Sequence, residues 1–172
     1  PKHCFPSIHS NEVIMEAKAL GHPLIREKNR INNDFRINNK DFVIITGANM
    51  AGKSTFLRTI SLCVVMANNG LPVCAEKLDY SPIKLISSMR TSDSLAEESS
   101  YFYAEIMRLK FIVDEMKSEQ YFIILDEILK GTNSKDKAIG SRKFLERLVK
   151  SGSTGIIATH DLSLCDIEKH YD

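Results

Sequence analysis

The eight-residue segment from Gly47 to Ser54 constrains the fold of this chain more than any other feature. It reads Gly-Ala-Asn-Met-Ala-Gly-Lys-Ser and fits the pattern G-x-x-x-x-G-K-[ST]. A short apolar run, residues 42–45, precedes it, and a stretch with helical periodicity follows at residues 53–67. Strand, glycine loop and helix in this order are the context in which the motif binds phosphate. The sequence therefore predicts an α/β fold with a nucleotide bound at this loop.

Each residue type in the loop suits contact with phosphate. Glycine at 47 and 52 lets the backbone wrap closely, so that N–H groups point at phosphate oxygens beside the positive end of a helix. Lys53 is expected to reach the β- and γ-phosphates, and the Ser54 hydroxyl to ligate Mg²⁺. The loop residues expected to contact ATP or ADP are Gly47, Ala48, Asn49, Met50, Ala51, Gly52, Lys53, Ser54 and Thr55. A chance glycine turn before a helix is the alternative, and the strand and helix on either side argue against it.

Polar residues follow two further apolar runs. Residues 121–125 are followed by Asp126 and Glu127, and residues 154–158 are followed by Thr159 and His160. Unbroken apolar strands are typical of a parallel sheet covered on both faces, and ligands bind at the carboxyl edge of such sheets. We therefore expect these side chains to meet the phosphate loop at one edge.

The expected roles of these three side chains follow from their chemistry. Asp126 is placed to hold Mg²⁺, and Glu127 to orient or deprotonate the attacking water. His160 is predicted to contact the γ-phosphate. The alternatives are a solvated strand end for the acidic pair and a capping or surface role for the histidine; the positions after apolar strands, downstream of a phosphate loop, favour the first interpretation.

Two amphipathic segments lie between the strands and predict helices. Apolar residues recur at helical spacing in both; they are Phe102, Ile106, Leu109, Val113 and Met116 in the first, and Ile139, Phe144, Leu145, Leu148 and Val149 in the second. Alternating strands and helices predict an α/β domain with a mostly parallel sheet flanked by helices. The asparagine-rich segment 29–39 is predicted to be a turn or loop. A length of 172 residues favours a single domain spanning residues 1–172.

Composition narrows the classes of function. Lys and Arg total 23 against 22 Asp and Glu, so the chain lacks the basic footprint of a self-sufficient DNA-binding surface. The four cysteines form no C-x-x-C pair, which argues against a zinc site or a disulfide framework. No apolar run approaches the roughly 18 residues of a membrane span. We expect a cytoplasmic fragment of a longer chain, without membrane contact.

Several motifs together resemble the ATPase domain of the MutS family of DNA-repair proteins. The segment at 45–55, Ile-Thr-Gly-Ala-Asn-Met-Ala-Gly-Lys-Ser-Thr, is similar to that family's phosphate loop with its Asn-Met pair. Residues 125–136, Leu-Asp-Glu-Ile-Leu-Lys-Gly-Thr-Asn-Ser-Lys-Asp, are similar to its Asp-Glu segment, and Ala-Thr-His-Asp at 158–161 to its histidine strand.

Three more segments extend the resemblance in the same order along the chain. Residues 21–24, Gly-His-Pro-Leu, resemble the start of the family's ATPase domain and include His22. Asn33 lies in a turn-like Asn-Asp pair that resembles a segment near the nucleotide base. Residues 100–105, Ser-Tyr-Phe-Tyr-Ala-Glu, resemble a Ser-x-Phe-x-x-Glu segment before a long helix; in the family its serine, here Ser100, approaches the nucleotide of the opposite subunit.

The resemblance implies a P-loop NTPase fold of the ATP-binding-cassette type and Mg²⁺-dependent ATP hydrolysis. It further implies a homodimer of the full-length protein with ATP sites shared between subunits, and contact with DNA through domains outside this chain. Catalytic roles are then expected for Lys53, Ser100, Glu127 and His160, and metal binding for Ser54 and Asp126.

This chain also departs from the family pattern. Ala48 and Ala51 stand where Pro and Gly are usual, residues 129–130 read Leu-Lys instead of Gly-Arg, and Ser99 replaces an Arg. Two alternatives stay open. One is an ATPase of a transporter or chromosome-structuring system, which would carry a Ser-Gly-Gly type of signature that is missing before the carboxylate strand. The other is a nucleotide-binding module that has lost catalysis.

Overall fold

The chain forms two four-stranded sheets with helices between and around them. The computed structural model describes residues 3–10, 12–48, 51–89, 98–129 and 134–170. The strands are β1 (Ser7–Ile8), β2 (Val13–Leu20), β3 (Asn33–Asn38), β4 (Phe42–Thr46), β5 (Lys77–Tyr80), β6 (Lys84–Ser88), β7 (Tyr121–Asp126) and β8 (Thr154–Thr159). The α-helices are α1 (Lys53–Asn68), α2 (Glu98–Glu115) and α3 (Ser134–Lys150), and two 3-10 helices span Glu27–Asn29 and Leu162–His170.

The first sheet is wholly parallel, with the strand order β4-β8-β7-β6. Its central strands are buried on both faces. Phe122 and Ile124 of β7 pack in a cluster with α1, whereas Ile123 and Leu125 pack in a second cluster with α2 and α3. This alternation confirms the α/β class, with a parallel sheet flanked by helices. All predicted strands and helices form, and their bounds differ from the expected ones by one to a few residues. Each of them buries one or two apolar faces.

The second sheet, with the order β1-β5-β2-β3, was not predicted from the sequence. The prediction of a loop over residues 29–39 is wrong, because β3 pairs antiparallel with β2 there. In β3 the side chains of Phe35 and Ile37 point toward the core, whereas those of Asn33, Asp34 and Arg36 are exposed. The strand is an edge strand with polar residues on its outer face, a composition that resembles a loop when only residue types are counted.

The two sheets share one hydrophobic core. Ile14, Met15 and Leu20 of β2 lie in the same cluster as Leu57 and Ile60 of α1. Helix α1 is thereby packed between the sheets, and its first turn is directed to the carboxyl edge of the parallel sheet. In the described part of the chain, no helix is long and apolar enough to cross a membrane.

Candidate functional site

The carboxyl ends of β7 and β8 and the start of α1 line a cavity of about 350 Å³. Strand β8 pairs with β4 on one side and with β7 on the other, placing Thr159 beside Thr46 and Asp126 beside Ala158. Residues 51–55 line one wall of the cavity, and residues 126–127 and 158–160 line the other. The phosphate loop, the acidic pair and the histidine, predicted separately from the sequence, therefore meet in one place.

Helix α1 begins directly at the loop. Gly52 occupies the position before the helix with φ of 85° and makes no side-chain capping hydrogen bond. A left-handed backbone at this position favours glycine, because a Cβ atom would clash with the following carbonyl group. The residues that open α1, Lys53, Ser54 and Thr55, all border the cavity. Asn49 and Met50 lie outside the described residues, and their contacts with a nucleotide stay predictions.

The Lys53 ammonium group lies over the loop. Its Nζ atom donates hydrogen bonds to the carbonyl oxygens of Gly47, at 2.6 Å, and Ala48, at 2.8 Å. His160 approaches the same place, with Nδ1 2.9 Å from the Gly47 oxygen and 3.4 Å from Lys53 Nζ. An ammonium group held by exposed backbone carbonyls can exchange them for phosphate oxygens at small cost, because the new acceptors carry negative charge.

The Glu127 carboxylate lies on the other side of His160. Its Oε2 atom is 3.6 Å from His160 Nε2, and its Oε1 atom accepts a hydrogen bond from Lys137 Nζ at 2.8 Å. The side chain of Glu127 is 16% exposed and that of Lys137 26% exposed, so the pair is only partly screened by solvent. The Glu127 N–H group donates to the Ala158 carbonyl at 2.8 Å, which fixes the acidic pair to β8.

Asp126 and Ser54 face the same cavity from opposite walls. A carboxylate and a hydroxyl are hard oxygen ligands of the kind Mg²⁺ prefers, and Mg²⁺ usually completes its shell with phosphate oxygens and water. Among the described residues, no group of three or more His, Cys, Asp and Glu side chains could hold a metal ion. A pair of one carboxylate and one hydroxyl suits a cation that is bound together with a phosphate.

Besides Asn49 and Met50, three predicted site residues lie elsewhere or cannot be placed fully. His22 and Asn33 do not border the cavity, and their proximity to a nucleotide base stays a prediction. Burial, with a smaller effect from the charge of Arg58, lowers the pKa of His22. Ser100 is the third residue of α2, and its side chain lies outside the described part of the chain.

Lys137 was missed by the sequence analysis. It lies in the first turn of α3, where the helix dipole is unfavourable for a cation and favourable for an acid. A lysine in the first turn of a helix is stabilised by an acidic partner, and its position in the sequence is the signal that such a partner exists. The partner, Glu127, is ten residues earlier in the chain and is brought close only by the tertiary fold.

Comparison with known proteins identifies relatives of this chain. The family model described as MutS domain V matches residues 43–172. The chain is 36% identical to a DNA mismatch repair protein MutS of Thermotoga sp. (strain RQ2) over 163 residues, which is 91% of this chain and 20% of that protein. It is 34% identical to the human MutS protein homolog 4 over 155 residues, or 87% of this chain and 16% of the relative.

A third relative is the endonuclease MutS2 of Thermus thermophilus, 34% identical over 141 residues, which is 81% of this chain and 18% of that protein. The chain thus spans a fifth or less of the length of these relatives. The family match covers the phosphate loop, the acidic pair and the histidine, and three-quarters of all residues. The chain belongs to the MutS family.

Proposed function

We propose that this chain binds ATP and ADP with Mg²⁺ in the cavity at the carboxyl edge of the parallel sheet and hydrolyses ATP at the γ-phosphate. In this proposal the fold is that of a P-loop NTPase of the ATP-binding-cassette type. The observation that carries the proposal is the meeting of Lys53, Asp126, Glu127 and His160 around one cavity that begins at the glycine loop.

Nucleotide binding would rearrange two side chains at the loop, Lys53 and His160. Lys53 gives up the carbonyl groups of Gly47 and Ala48 and contacts the β- and γ-phosphates instead. His160, which lies within 3.4 Å of Lys53, is near enough to contact the γ-phosphate in the same movement. Ser54 and Asp126 hold Mg²⁺, which neutralises charge on the phosphate oxygens when it is bound.

Glu127 is the residue best placed to orient and deprotonate the attacking water. Besides Asp126, it is the only carboxylate among the described residues that line the cavity. His160 lies between Glu127 and the phosphate loop. Hydrolysis by in-line attack requires positioning and charge neutralisation more than covalent chemistry. The hydrogen bond from Lys137 occupies part of Glu127 Oε1 and competes there with a water molecule.

In the longer parent protein, we propose that hydrolysis switches a DNA-bound homodimer between states. Two of the relatives are named for DNA mismatch repair or for an endonuclease, and all of them are about five or six times as long as this chain. A net charge of +1 gives this segment no overall basic excess, so we assign DNA contact to the remainder of the protein. Ser100, near the start of α2, would complete the partner subunit's ATP site.

The alternative is a nucleotide-binding module without catalysis. The lysine, both carboxylates and the histidine are all present and meet at one cavity, which favours an active ATPase. An ATPase of a transporter or chromosome-structuring system is less well supported, because the family match and the named relatives all belong to MutS proteins.

The test is phosphate release by the full-length parent protein with ATP and Mg²⁺. Glu127→Gln keeps the size of the side chain but removes the base, so we expect ATP binding close to wild type and hydrolysis slower by about 10²–10⁴-fold. Glu146→Gln is the matched control, because Glu146 forms an ion pair with Arg142 on the outer part of α3. Equal single-turnover rates for wild type and Glu127→Gln would overturn the assignment of Glu127, and an inactive wild type would favour the non-catalytic module.

A further inference from the structure

The backbone that carries Glu127 is held in an uncommon conformation. Glu127 has φ of 50° and Leu129 has φ of 58°, both in the left-handed region that residues with a Cβ atom rarely adopt. Two such residues within three positions persist only where neighbouring structure fixes them. The contacts around this turn therefore determine where the Glu127 carboxylate lies.

Helix α2 supplies one of these contacts. The Leu129 N–H group donates a partly buried hydrogen bond to Oε1 of Glu105 at 2.8 Å. Glu105 is the last residue of the Ser-x-Phe-x-x-Glu segment at 100–105, and it has no role in the reaction proposed above. An ionised acceptor shortens and strengthens such a bond, so it is well suited to hold a strained peptide group.

Two further contacts close the turn from other directions. Leu129 is buried at 6% exposure and lies against Gly140 of α3, where an added Cβ atom would come within 2.7 Å of Leu129 Cδ1. The Glu127 N–H group is bound to Ala158 of β8. Of the three, only the contact with Glu105 depends on a single polar side chain.

Helix α2 is itself anchored to the sheet one turn later. Arg108 donates a hydrogen bond to the Ser87 carbonyl at the end of β6, at 2.9 Å. Glu105 and Arg108 are three residues apart and so project from the same side of the helix. A small displacement of the first turns of α2 would therefore reach the acidic pair through Glu105.

We propose that Glu105 is a positioning residue for ATP hydrolysis, holding the turn at 127–129 so that the Glu127 carboxylate faces the cavity. The inference rests on the proposed function of Glu127 and extends it. Glu105 and Ser100 both lie in the first turns of α2, the helix that would face the partner's nucleotide. A change in the position of this helix would therefore reach the acidic pair of its own subunit through the hydrogen bond of Glu105.

The experiment compares Glu105→Ala and Glu105→Gln in the full-length parent protein. Alanine removes the acceptor, and we expect single-turnover hydrolysis to fall at least about tenfold while ATP affinity stays within about twofold. Glutamine keeps an acceptor oxygen, so it should restore the rate to within about threefold of wild type. Glu115→Ala is the matched control, because Glu115 accepts a hydrogen bond from Tyr121 at the opposite end of the same helix, and it should leave the rate unchanged.

Amide hydrogen exchange at Leu129 gives a second measurement that does not need the alanine variant to fold. Wild-type Leu129 should be protected, and Glu105→Gln should exchange faster than wild type but slower than a free amide. An unprotected Leu129 in the wild type, or an alanine variant as fast as wild type, would overturn the inference. So would a glutamine variant as slow as the alanine variant. Glu127→Gln, measured alongside, separates the proposed role of Glu127 from that of Glu105. If Glu127→Gln hydrolyses ATP slowly and Glu105→Ala hydrolyses it at the wild-type rate, only the role of Glu105 is contradicted.

Discussion

The ammonium group of Lys137 lies 2.8 Å from Oε1 of Glu127 and joins the first turn of α3 to the acidic pair. The proposed general base is therefore engaged in an ion pair, while its second oxygen lies 3.6 Å from His160. Because water must reach a carboxylate oxygen of Glu127 for attack, this ion pair competes with water for one of the two oxygens.

Replacing Lys137 should consequently raise the rate of hydrolysis. Lys137→Met keeps the length of the side chain and removes its charge, and opening a partly exposed ion pair costs about 1 kcal/mol, or roughly fivefold in rate. We expect single-turnover hydrolysis in the full-length protein to rise by up to this factor. Lys143→Met is the control, since Lys143 is an exposed lysine of the same helix. A fall in rate would mean that Lys137 holds Glu127 in its reactive position.

Lys53→Ala should weaken nucleotide binding sharply. The ammonium group lies over the glycine loop, and loss of a charged contact with a partly buried phosphate costs about 2–4 kcal/mol. Calorimetric titration with ADP and Mg²⁺ should show a loss of affinity well beyond tenfold. Lys77→Ala, a change at an exposed lysine of the other sheet, should bind as wild type does. Equal affinity of the Lys53 variant would contradict a phosphate-binding role.

Ser100 tests whether ATP sites are shared between subunits. A serine near a helix start can also cap the helix, which is worth about 1 kcal/mol of stability. If it contacts the partner's γ-phosphate as well, Ser100→Ala should lower hydrolysis without changing ATP affinity. Mixing full-length Ser100→Ala and Lys53→Ala proteins should then recover part of the activity, because each heterodimer has one site with both defects and one intact site. No recovery, with a rate independent of protein concentration, would show that each chain acts alone.

The folded chain should lose stability as the pH rises above about 9. Burial raises the pKa of the Cys63 thiol from 9.0 to about 12, with smaller effects from Cys4 and Cys74, and burial likewise raises the pKa of Tyr80 to about 12. The folded state then binds these protons more tightly than the unfolded state. The associated stability is fully present below the unfolded pKa values and is lost as the pH rises toward 12.

Urea unfolding of this chain at pH 8 and pH 10 measures the effect. The free energy of unfolding should fall by up to about 1.4 kcal/mol per pH unit for each group that ionises only in the unfolded chain. Cys63→Ala should show a shallower fall than wild type over the same interval. An identical pH dependence of the two proteins would show that Cys63 does not ionise differently on unfolding.

The sequence predicts the central part of the site because local signals specify it. The phosphate loop combines a glycine pattern with a strand and a helix, and Asp126, Glu127 and His160 each end an apolar strand of a parallel sheet. Since all such strands point the same way, their ends meet at one edge without further information. The fold of this half therefore follows from the glycine pattern and from the periodicity of the apolar residues.

The remaining features depend on contacts that sequence patterns do not contain. Strand β3 was mistaken for a loop because an edge strand needs only two apolar residues, Phe35 and Ile37, to be held in place. The ion pair of Lys137 and the bond between Glu105 and Leu129 join residues 10 and 24 positions apart on different elements. The left-handed backbone of Leu129 has no signal in the sequence, because leucine rarely adopts this conformation.

The shared core of the two sheets has a consequence for how the ATPase segment can be divided. The family match begins at residue 43, yet Ile14, Met15, Leu20 and Ile37 pack in one cluster with α1. A polypeptide started at residue 43 would lack these residues of β2 and β3, and part of the apolar surface of the helix that carries Lys53 would be exposed. The antiparallel sheet and the phosphate loop should accordingly unfold together in a single cooperative event. Destabilising mutations in β2 or β3, far from the cavity, would then weaken nucleotide binding.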